Sequence, residues 1–186
     1  MANSQNMTAE HYQVDTEVPI ANFRNCHIGI LHHLEGLSEL LSQFDNAQVA
    51  QKIAQETFNY FHLGMKVHHQ EEELELFPAV LSSALPGEER NLVLRLIEKL
   101  TQQHRVLESE WKEIEQALKA IIKGHPNTLD HIHFKLLINR YQAHASAEES
   151  EFLPLAEKIL GRNSNHMAAL GLSLHMRHVP RIPSHI

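Results

Sequence analysis

The stretch HHQEEELELFPAV, residues 68–80, decides the fold because its pattern returns as HASAEESEFLPLA, residues 144–156. Each copy contains a histidine, a glutamate and a phenylalanine at successive spacings of four. These residues are His69, Glu73 and Phe77 in the first copy, and His144, Glu148 and Phe152 in the second. Residues four apart lie on one face of an α-helix, about 6 Å apart along its axis. Each copy therefore predicts a helix that presents an imidazole and a carboxylate at one point.

Around these two helices the sequence predicts two more. Apolar residues recur near the helical period in four long segments, and glycine or proline marks most of the joints between them. We predict helices over approximately 19–44, 45–83, 86–124 and 127–161. The residues suited to starting or capping them are Pro19, Asp45 with Gln48, and Asn127 or Thr128. Short connections favour antiparallel neighbours, so we predict an all-α fold, an antiparallel up-down-up-down four-helix bundle.

The chain is interpreted as one domain with two extensions. No stretch rich in Gly, Pro or Ser suggests a linker, so residues 19–161 form the bundle, 1–18 an N-terminal extension and 162–186 a C-terminal tail. The tail contains a short helical candidate, Met167 to Met176, in which Leu170 and Leu174 can contact the bundle. The tail histidines, which we assign to surface or capping roles, are His166, His175 and His178.

Charge and composition argue against several classes of function. The net charge is −7, with 16 Lys plus Arg against 23 Asp plus Glu, so nucleic-acid phosphates and anionic membranes would be repelled. No apolar run reaches the roughly 20 residues that cross a bilayer, and residues 1–16 lack the pattern of a secretion signal. The single Cys26 cannot form an internal disulfide, which fits a reducing cytoplasm. We therefore expect a cytoplasmic protein without nucleic-acid or membrane partners.

Histidine is the outlier in the composition, with 16 residues, and imidazole is the commonest metal ligand in proteins. His27 is in register with the leucine stripe of the first helix, and His104 with the apolar stripe of the third. Ionisable groups in a core are seldom tolerated unless they are paired, hydrogen-bonded or bound to a metal. Because all four helices contribute, we predict one shared metal site with the ligands His27, His69, Glu73, His104, His144 and Glu148.

This donor set favours a pair of iron ions. Four imidazole nitrogens and two bridging carboxylates supply about eight donor contacts, whereas two ions with five or six ligands each need about 10 to 12. An oxo or hydroxo bridge and one or two open positions account for the difference, and a small diatomic molecule could enter there. Donors without thiolate argue against a closed structural zinc site. We expect two iron ions, with manganese as the less favoured metal.

A second register is open in the first copy, since His68 and Glu72 repeat the same spacing one residue earlier. We choose His69 and Glu73 because their offsets to Phe77 equal those of the second copy. At about 100° per residue, His68 and Glu72 should then lie on the flank of the helix.

The quoted segments resemble the haemerythrin-like HHE cation-binding family, in which His-x-x-x-Glu precedes Phe and Pro on helices two and four. NCHIGILHHLEGL, residues 25–37, and LTQQHRVLESEW, residues 100–111, extend the resemblance over approximately Ile20 to Leu160. It implies an antiparallel four-helix bundle with two irons. Oxygen carriers of the family place a second histidine four residues after the first on helix three, where this chain has Glu108. The set is therefore similar to the six-ligand bacterial variants, which favours redox chemistry over simple oxygen carriage.

Two functions follow from this resemblance and from the open positions. The first is a non-haem di-iron protein that binds oxygen or nitric oxide for sensing, storage or scavenging. The alternative is a di-iron redox enzyme or iron donor, which reduces peroxide or nitric oxide or repairs iron-sulfur centres. A third interpretation is a metal-free helical adaptor whose core histidines only form hydrogen bonds. Metal analysis separates the third from the other two.

Overall fold

All regular elements in the described part of the chain are helical. The computed structural model describes residues 16, 18–42, 46–125 and 131–178. Its α-helices are α1 Pro19–Ser42, α2 Ala47–Glu71, α3 Phe77–Ser83, α4 Glu88–Ile122, α5 His131–Ala147, α6 Leu153–Leu160 and α7 Ser164–His178. Two π-helical turns, Glu72–Leu76 and Glu148–Phe152, join α2 to α3 and α5 to α6 without a break. The described residues thus form five rods, and the all-α prediction is confirmed.

The four predicted bundle helices correspond to α1, to α2 with α3, to α4, and to α5 with α6. The second rod ends at Ser83 and the fourth is followed by Gly161, as the sequence indicates. The predicted capping residues Asp45, Asn127 and Thr128 lie outside the described residues. The cap of α2 is Asn46, whose side chain accepts a hydrogen bond from the backbone N–H of Val49 at 3.3 Å.

The rods pack side by side around a common interior. α1 packs against α2 and α5, and α4 packs against the same two helices. The buried apolar residues form two clusters along the bundle, one around Phe61, Trp111 and Tyr141 and the other around Phe77 and Phe152. On each of the four bundle rods, which exclude α7, a buried histidine lies in sequence between a residue of one cluster and a residue of the other. The interior therefore has a polar layer between two apolar layers.

Helix α7 covers one end of this assembly, where it contacts α1, α3, α6 and the first π-helical turn. Leu170 and Leu174 are buried in the second apolar cluster, which confirms that they contact the bundle. The Ser173 hydroxyl donates to the Glu75 carboxylate, and Arg177 forms an ion pair with the same carboxylate.

Among the tail histidines, His166 and His175 are exposed, and the side chain of His178 lies outside the described part. No helix in the described ranges has both the length and the hydropathy that a membrane crossing requires.

Because α7 packs on the bundle, two of its leucines should differ clearly in their contribution to the free energy of unfolding. Leu174→Ala removes a side chain that is 1% exposed, and we expect the free energy of unfolding to fall by about 2 to 5 kcal/mol. Leu172→Ala, at a residue that is 60% exposed, is the matched control and should change it by less than about 0.5 kcal/mol. Urea denaturation followed by circular dichroism measures both, and equal midpoints would contradict the docking.

Candidate metal centre

Two widened helical turns bring carboxylates into the polar layer. Each turn is closed by a backbone bond across five residues instead of four, and the turn is therefore π-helical. The closing bonds run from the N–H of Phe77 to the C=O of Glu72 and from the N–H of Leu153 to the C=O of Glu148. Pro78 and Pro154 follow directly, and a proline has no N–H and crowds the carbonyl four residues earlier. A wider turn at these two positions costs few hydrogen bonds and relieves that crowding.

The first turn carries Glu72, not Glu73, into the core. Glu72 is fully buried, with 0% exposure, whereas the Glu73 side chain is 22% exposed. His68, four residues before Glu72, is also buried, so our expectation that His68 and Glu72 lie on the flank is wrong. The cause is that Phe77 and Phe152 do not occupy equivalent positions, because Phe77 follows the first wide turn whereas Phe152 is the last residue of the second. Matching the two phenylalanines therefore shifts the first copy by one residue, from Glu72 to Glu73.

A signal for the other register was present in the sequence. Glu72 and Glu148 each stand six residues before a proline, at Pro78 and Pro154. Aligning the two copies on proline pairs Glu72 with Glu148 and His68 with His144. The proline is the better anchor because it constrains the backbone, whereas Phe77 only fills space.

Four buried histidines are oriented by hydrogen bonds from Nδ1. In each, the Nδ1–H donates to a side-chain oxygen of a neighbouring rod. The pairs are His27 with Glu149 at 2.8 Å, His69 with Glu108 at 3.1 Å, His104 with Glu73 at 2.7 Å and His144 with Gln103 at 3.0 Å. An imidazole that donates from Nδ1 has its Nε2 lone pair available for another partner when it is neutral. These bonds therefore point the Nε2 atoms inward.

The inward atoms lack hydrogen bonds to any residue that the structure describes. They are Nε2 of His27, His104 and His144, both ring nitrogens of His68, and both carboxylate oxygens of Glu72 and Glu148. Buried polar atoms without partners are costly and rare in folded proteins. A cation between them would satisfy all of these donors at once, so the residues present fit a metal centre.

The spacing of these atoms matches that of ligands around shared ions. One oxygen of Glu72 lies 3.1 Å from His68 Nε2, and its other oxygen lies 3.2 Å from His104 Nε2. Oε2 of Glu148 lies 3.3 Å from His27 Nε2 and 3.4 Å from His144 Nε2. Two donors at about 2.1 Å from one metal and at right angles to each other are about 3 Å apart. Each carboxylate thus reaches histidines from two rods.

Ligand atoms within 4.8 Å of one another form three groups among the described residues. The groups are His27, His68, Glu72 and Glu148; then Glu72, His104, His144 and Glu148; then His69, His104 and His144. Of the six ligands predicted from sequence, His27, His69, His104, His144 and Glu148 each belong to at least one group. Glu73 belongs to none of these groups, and its carboxylate contacts His104 Nδ1 and Arg105 instead.

The electrostatics of the cluster suit neutral imidazole ligands. Burial lowers the pKa of His68 and His69 well below the ordinary value, and it lowers that of His144 to about 4. Burial alone would also lower the pKa of His27, but the nearby carboxylates of Glu148, Glu72 and Glu149 raise it to about 9. Binding of a metal would displace that proton, so metal uptake should weaken as the pH falls.

The two buried carboxylates differ in their affinity for a proton. Burial, followed by repulsion from Glu148, raises the pKa of Glu72 well above its ordinary value. For Glu148 the effect of burial is outweighed by the close approach of His27 and by electrostatic attraction to His144 and His27, so its pKa is lowered to about 2. The pair therefore carries less negative charge than two free carboxylates, and a cation would allow both to ionise.

Comparison with known proteins agrees with this geometry. The family model described as Hemerythrin HHE cation binding domain matches residues 18–156, which include every residue of the three groups. The chain belongs to this haemerythrin HHE family. The resemblance predicted from sequence is confirmed, and the histidine and glutamate clusters are compatible with the cation binding that gives the family its name.

A bacterial relative is similar to this chain over most of both sequences. An uncharacterized protein of Haemophilus influenzae is 26% identical over 158 residues, which cover 81% of this chain and 88% of that protein. No solved structure matches the chain.

His69 differs from the other core histidines of this HHE domain. Its Nδ1–H donates to Glu108, and its Nε2 accepts a hydrogen bond from the Tyr141 hydroxyl at 3.2 Å. Its ring also stacks on His104, with ring centroids 4.0 Å apart. Both nitrogens of His69 therefore have protein partners, whereas those of His68 have none among the described residues.

Measuring the metal bound by variants tests whether His68 and Glu72 face the metal centre. We expect Glu72→Ala, Glu148→Ala and His68→Ala to reduce bound iron to one ion per chain or fewer, because each removes a donor with no other partner. The matched control is Glu151→Ala, three residues after Glu148, whose carboxylate pairs with Lys99 at the surface. Anaerobic loading with Fe(II), desalting and elemental analysis measure the content, with circular dichroism to verify folding. Normal iron in Glu72→Ala would contradict this register.

Proposed function

We propose that this chain is a non-haem di-iron protein that takes up a small diatomic ligand, oxygen or nitric oxide, for sensing, storage or scavenging. The observation that carries the proposal is the convergence of inward imidazole nitrogens and carboxylate oxygens without hydrogen-bond partners. Such a cluster is unfavourable by itself and becomes favourable when cations occupy it.

The proposed ligand set follows the two larger groups. One iron would be held by His27 and His68, the other by His104 and His144, and Glu72 and Glu148 would bridge both. Compared with our sequence prediction, this set has Glu72 in place of Glu73 and His68 in place of His69. His69 becomes a neighbour of the second iron, since its Nε2 is engaged by Tyr141.

The donor count supports open coordination positions. Two imidazoles and two shared carboxylates give each ion about four protein donors, whereas iron takes about five or six. Iron held this way would supply vacant positions for a diatomic ligand and an exchangeable electron. Imidazole with bridging carboxylate fits iron first and manganese second, because a structural zinc site would be closed by four ligands.

We also propose the antiparallel up-down-up-down arrangement of the four bundle rods. Side-chain pairs between α2 and α4 support it, because the partner numbers fall as the residue numbers rise. The pairs are His62 with Glu115, His69 with Glu108 and Glu73 with His104. The contacts between α4 and the rod formed by α5, the second π-helical turn and α6 follow the same rule, with Lys99 to Glu151, Gln103 to His144 and Glu110 to Arg140.

A cytoplasmic location without nucleic-acid or membrane partners belongs to the same proposal. The supports are the single Cys26 and the net charge of −7. A single cysteine cannot form an internal disulfide, which suits a reducing compartment, and the negative charge repels nucleic-acid phosphates and anionic membranes.

The test of the first function is optical. Reduced protein loaded with Fe(II) should change its absorption spectrum when oxygen or nitric oxide is added, and the change should reverse when the gas is removed. Glu72→Ala, which loses a proposed bridge, should not respond. A fully loaded wild-type protein with no response to either gas would remove this function.

One observation favours a second candidate, a redox enzyme or iron donor. Each ion would have only two imidazoles, and Glu108 on α4 hydrogen-bonds His69 instead of supplying a further nitrogen. Fewer nitrogen ligands make iron easier to release. This candidate predicts transfer of iron to an apo iron-sulfur acceptor, or consumption of peroxide or nitric oxide with an added reductant. Failure of all three assays would remove it.

A further inference from the structure

Both π-helical turns contain the same short sequence, two adjacent glutamates, a variable residue and a third glutamate. The turns read EELEL over residues 72–76 and EESEF over residues 148–152. The first glutamate of each turn faces the proposed metal centre, and the third forms an outward ion pair. The second glutamate of each turn is not used by the proposed function.

That second glutamate holds a histidine of another rod. In the first turn, Glu72 faces Nε2 of His104 at 3.2 Å and Glu73 accepts from its Nδ1–H at 2.7 Å. In the second turn, Glu148 faces Nε2 of His27 at 3.3 Å and Glu149 accepts from its Nδ1–H at 2.8 Å. Each turn therefore contacts both nitrogens of one imidazole.

An arginine fixes each of these second glutamates from the solvent side. Arg105 forms an ion pair with Glu73, and Arg24 forms one with Glu149 at 3.2 Å. The side chains of Glu73 and Glu149 are 22% and 34% exposed, so they stand at the rim of the dry cluster. This location is suitable for a residue that orients a ligand and unsuitable for a bridge between two buried ions.

We propose that Glu73 and Glu149 are positioning residues that hold His104 and His27 with Nε2 directed at the metal centre. The inference rests on the proposed metal-binding function. A neutral imidazole has one proton, and a carboxylate that accepts it from Nδ1 leaves the Nε2 lone pair for a metal. The same bond fixes the ring plane and makes Nε2 more basic.

The hydrogen bond between His144 and Gln103 shows which property of the acceptor is needed. His144 is held through Nδ1 by the Gln103 side-chain oxygen at 3.0 Å, which is an uncharged acceptor. The acceptors for these three histidines therefore share a side-chain oxygen, and only the two glutamates add a negative charge. Glutamine should substitute for glutamate in orienting the ring, whereas alanine should not.

The first test uses metal-free protein, so it does not depend on iron. The spectra are recorded at about pH 8, well above the ordinary pKa of an imidazole, so that His104 is neutral. Long-range ¹H–¹⁵N NMR should show the proton of His104 on Nδ1 in wild type and in Glu73→Gln. In Glu73→Ala a substantial population should carry it on Nε2. Glu149→Ala, which does not contact His104, is the matched control and should leave that spectrum unchanged.

The second test is Fe(II) affinity by competition with a chelator under anaerobic conditions. Glu73→Ala and Glu149→Ala should each weaken binding about 10- to 100-fold while two ions still bind at saturation. The glutamine variants should recover most of the loss. Glu151→Ala, in the same turn as Glu149 but paired outward with Lys99, should bind as wild type.

Two outcomes overturn the inference. If Glu73→Ala binds one ion and keeps His104 protonated on Nδ1, Glu73 is a ligand, as the sequence first indicated. If affinity and tautomer are both unchanged, Glu73 has no role at the centre. Absence of iron binding by the wild type would instead refute the proposed function, and the tautomer of metal-free protein would still decide whether Glu73 orients His104.

Discussion

The burial of two carboxylates side by side constrains the rest of this molecule. Glu72 and Glu148 are 0% exposed, and no described residue hydrogen-bonds their oxygens. An unpaired buried ion costs several kcal/mol, and two of the same sign repel each other. The fold tolerates them because four rods surround them with imidazoles, and because apolar clusters on both sides supply the hydrophobic burial that offsets the cost.

The π-helical turns connect this constraint to the sequence. A proline after each turn removes one backbone donor, so the helix widens where an ordinary turn would leave a carbonyl crowded. The widening places adjacent glutamates in different environments, with Glu72 and Glu148 in the dry interior and Glu73 and Glu149 at its rim. The two turns therefore supply both buried carboxylates and the hydrogen bonds to Nδ1 of His27 and His104.

The sequence predicted the rods well because helical periodicity is a local property that extends over many residues. It also predicted His27, His104, His144 and Glu148 as members of one cluster, since the three histidines lie in apolar stripes of regular helix and Glu148 stands four residues after His144. It selected Glu73 over Glu72 because Phe77 was matched to Phe152, whereas Phe77 follows the first wide turn and Phe152 ends the second. The partners of the Nδ1 atoms could not be predicted, because they lie on other rods and depend on the distances between helices.

The buried charges link cation binding to the stability of the bundle. Without a cation, burial favours neutral groups. It raises the pKa of Glu72, so that less negative charge is buried in the core. A cation reverses that preference, since its attraction for both carboxylates and for neutral imidazoles replaces the hydration that they lost on folding. Binding energy gained only in the folded state adds to stability by mass action. A cation bound in the polar layer would therefore link all four bundle rods through the six side chains of the proposed ligand set.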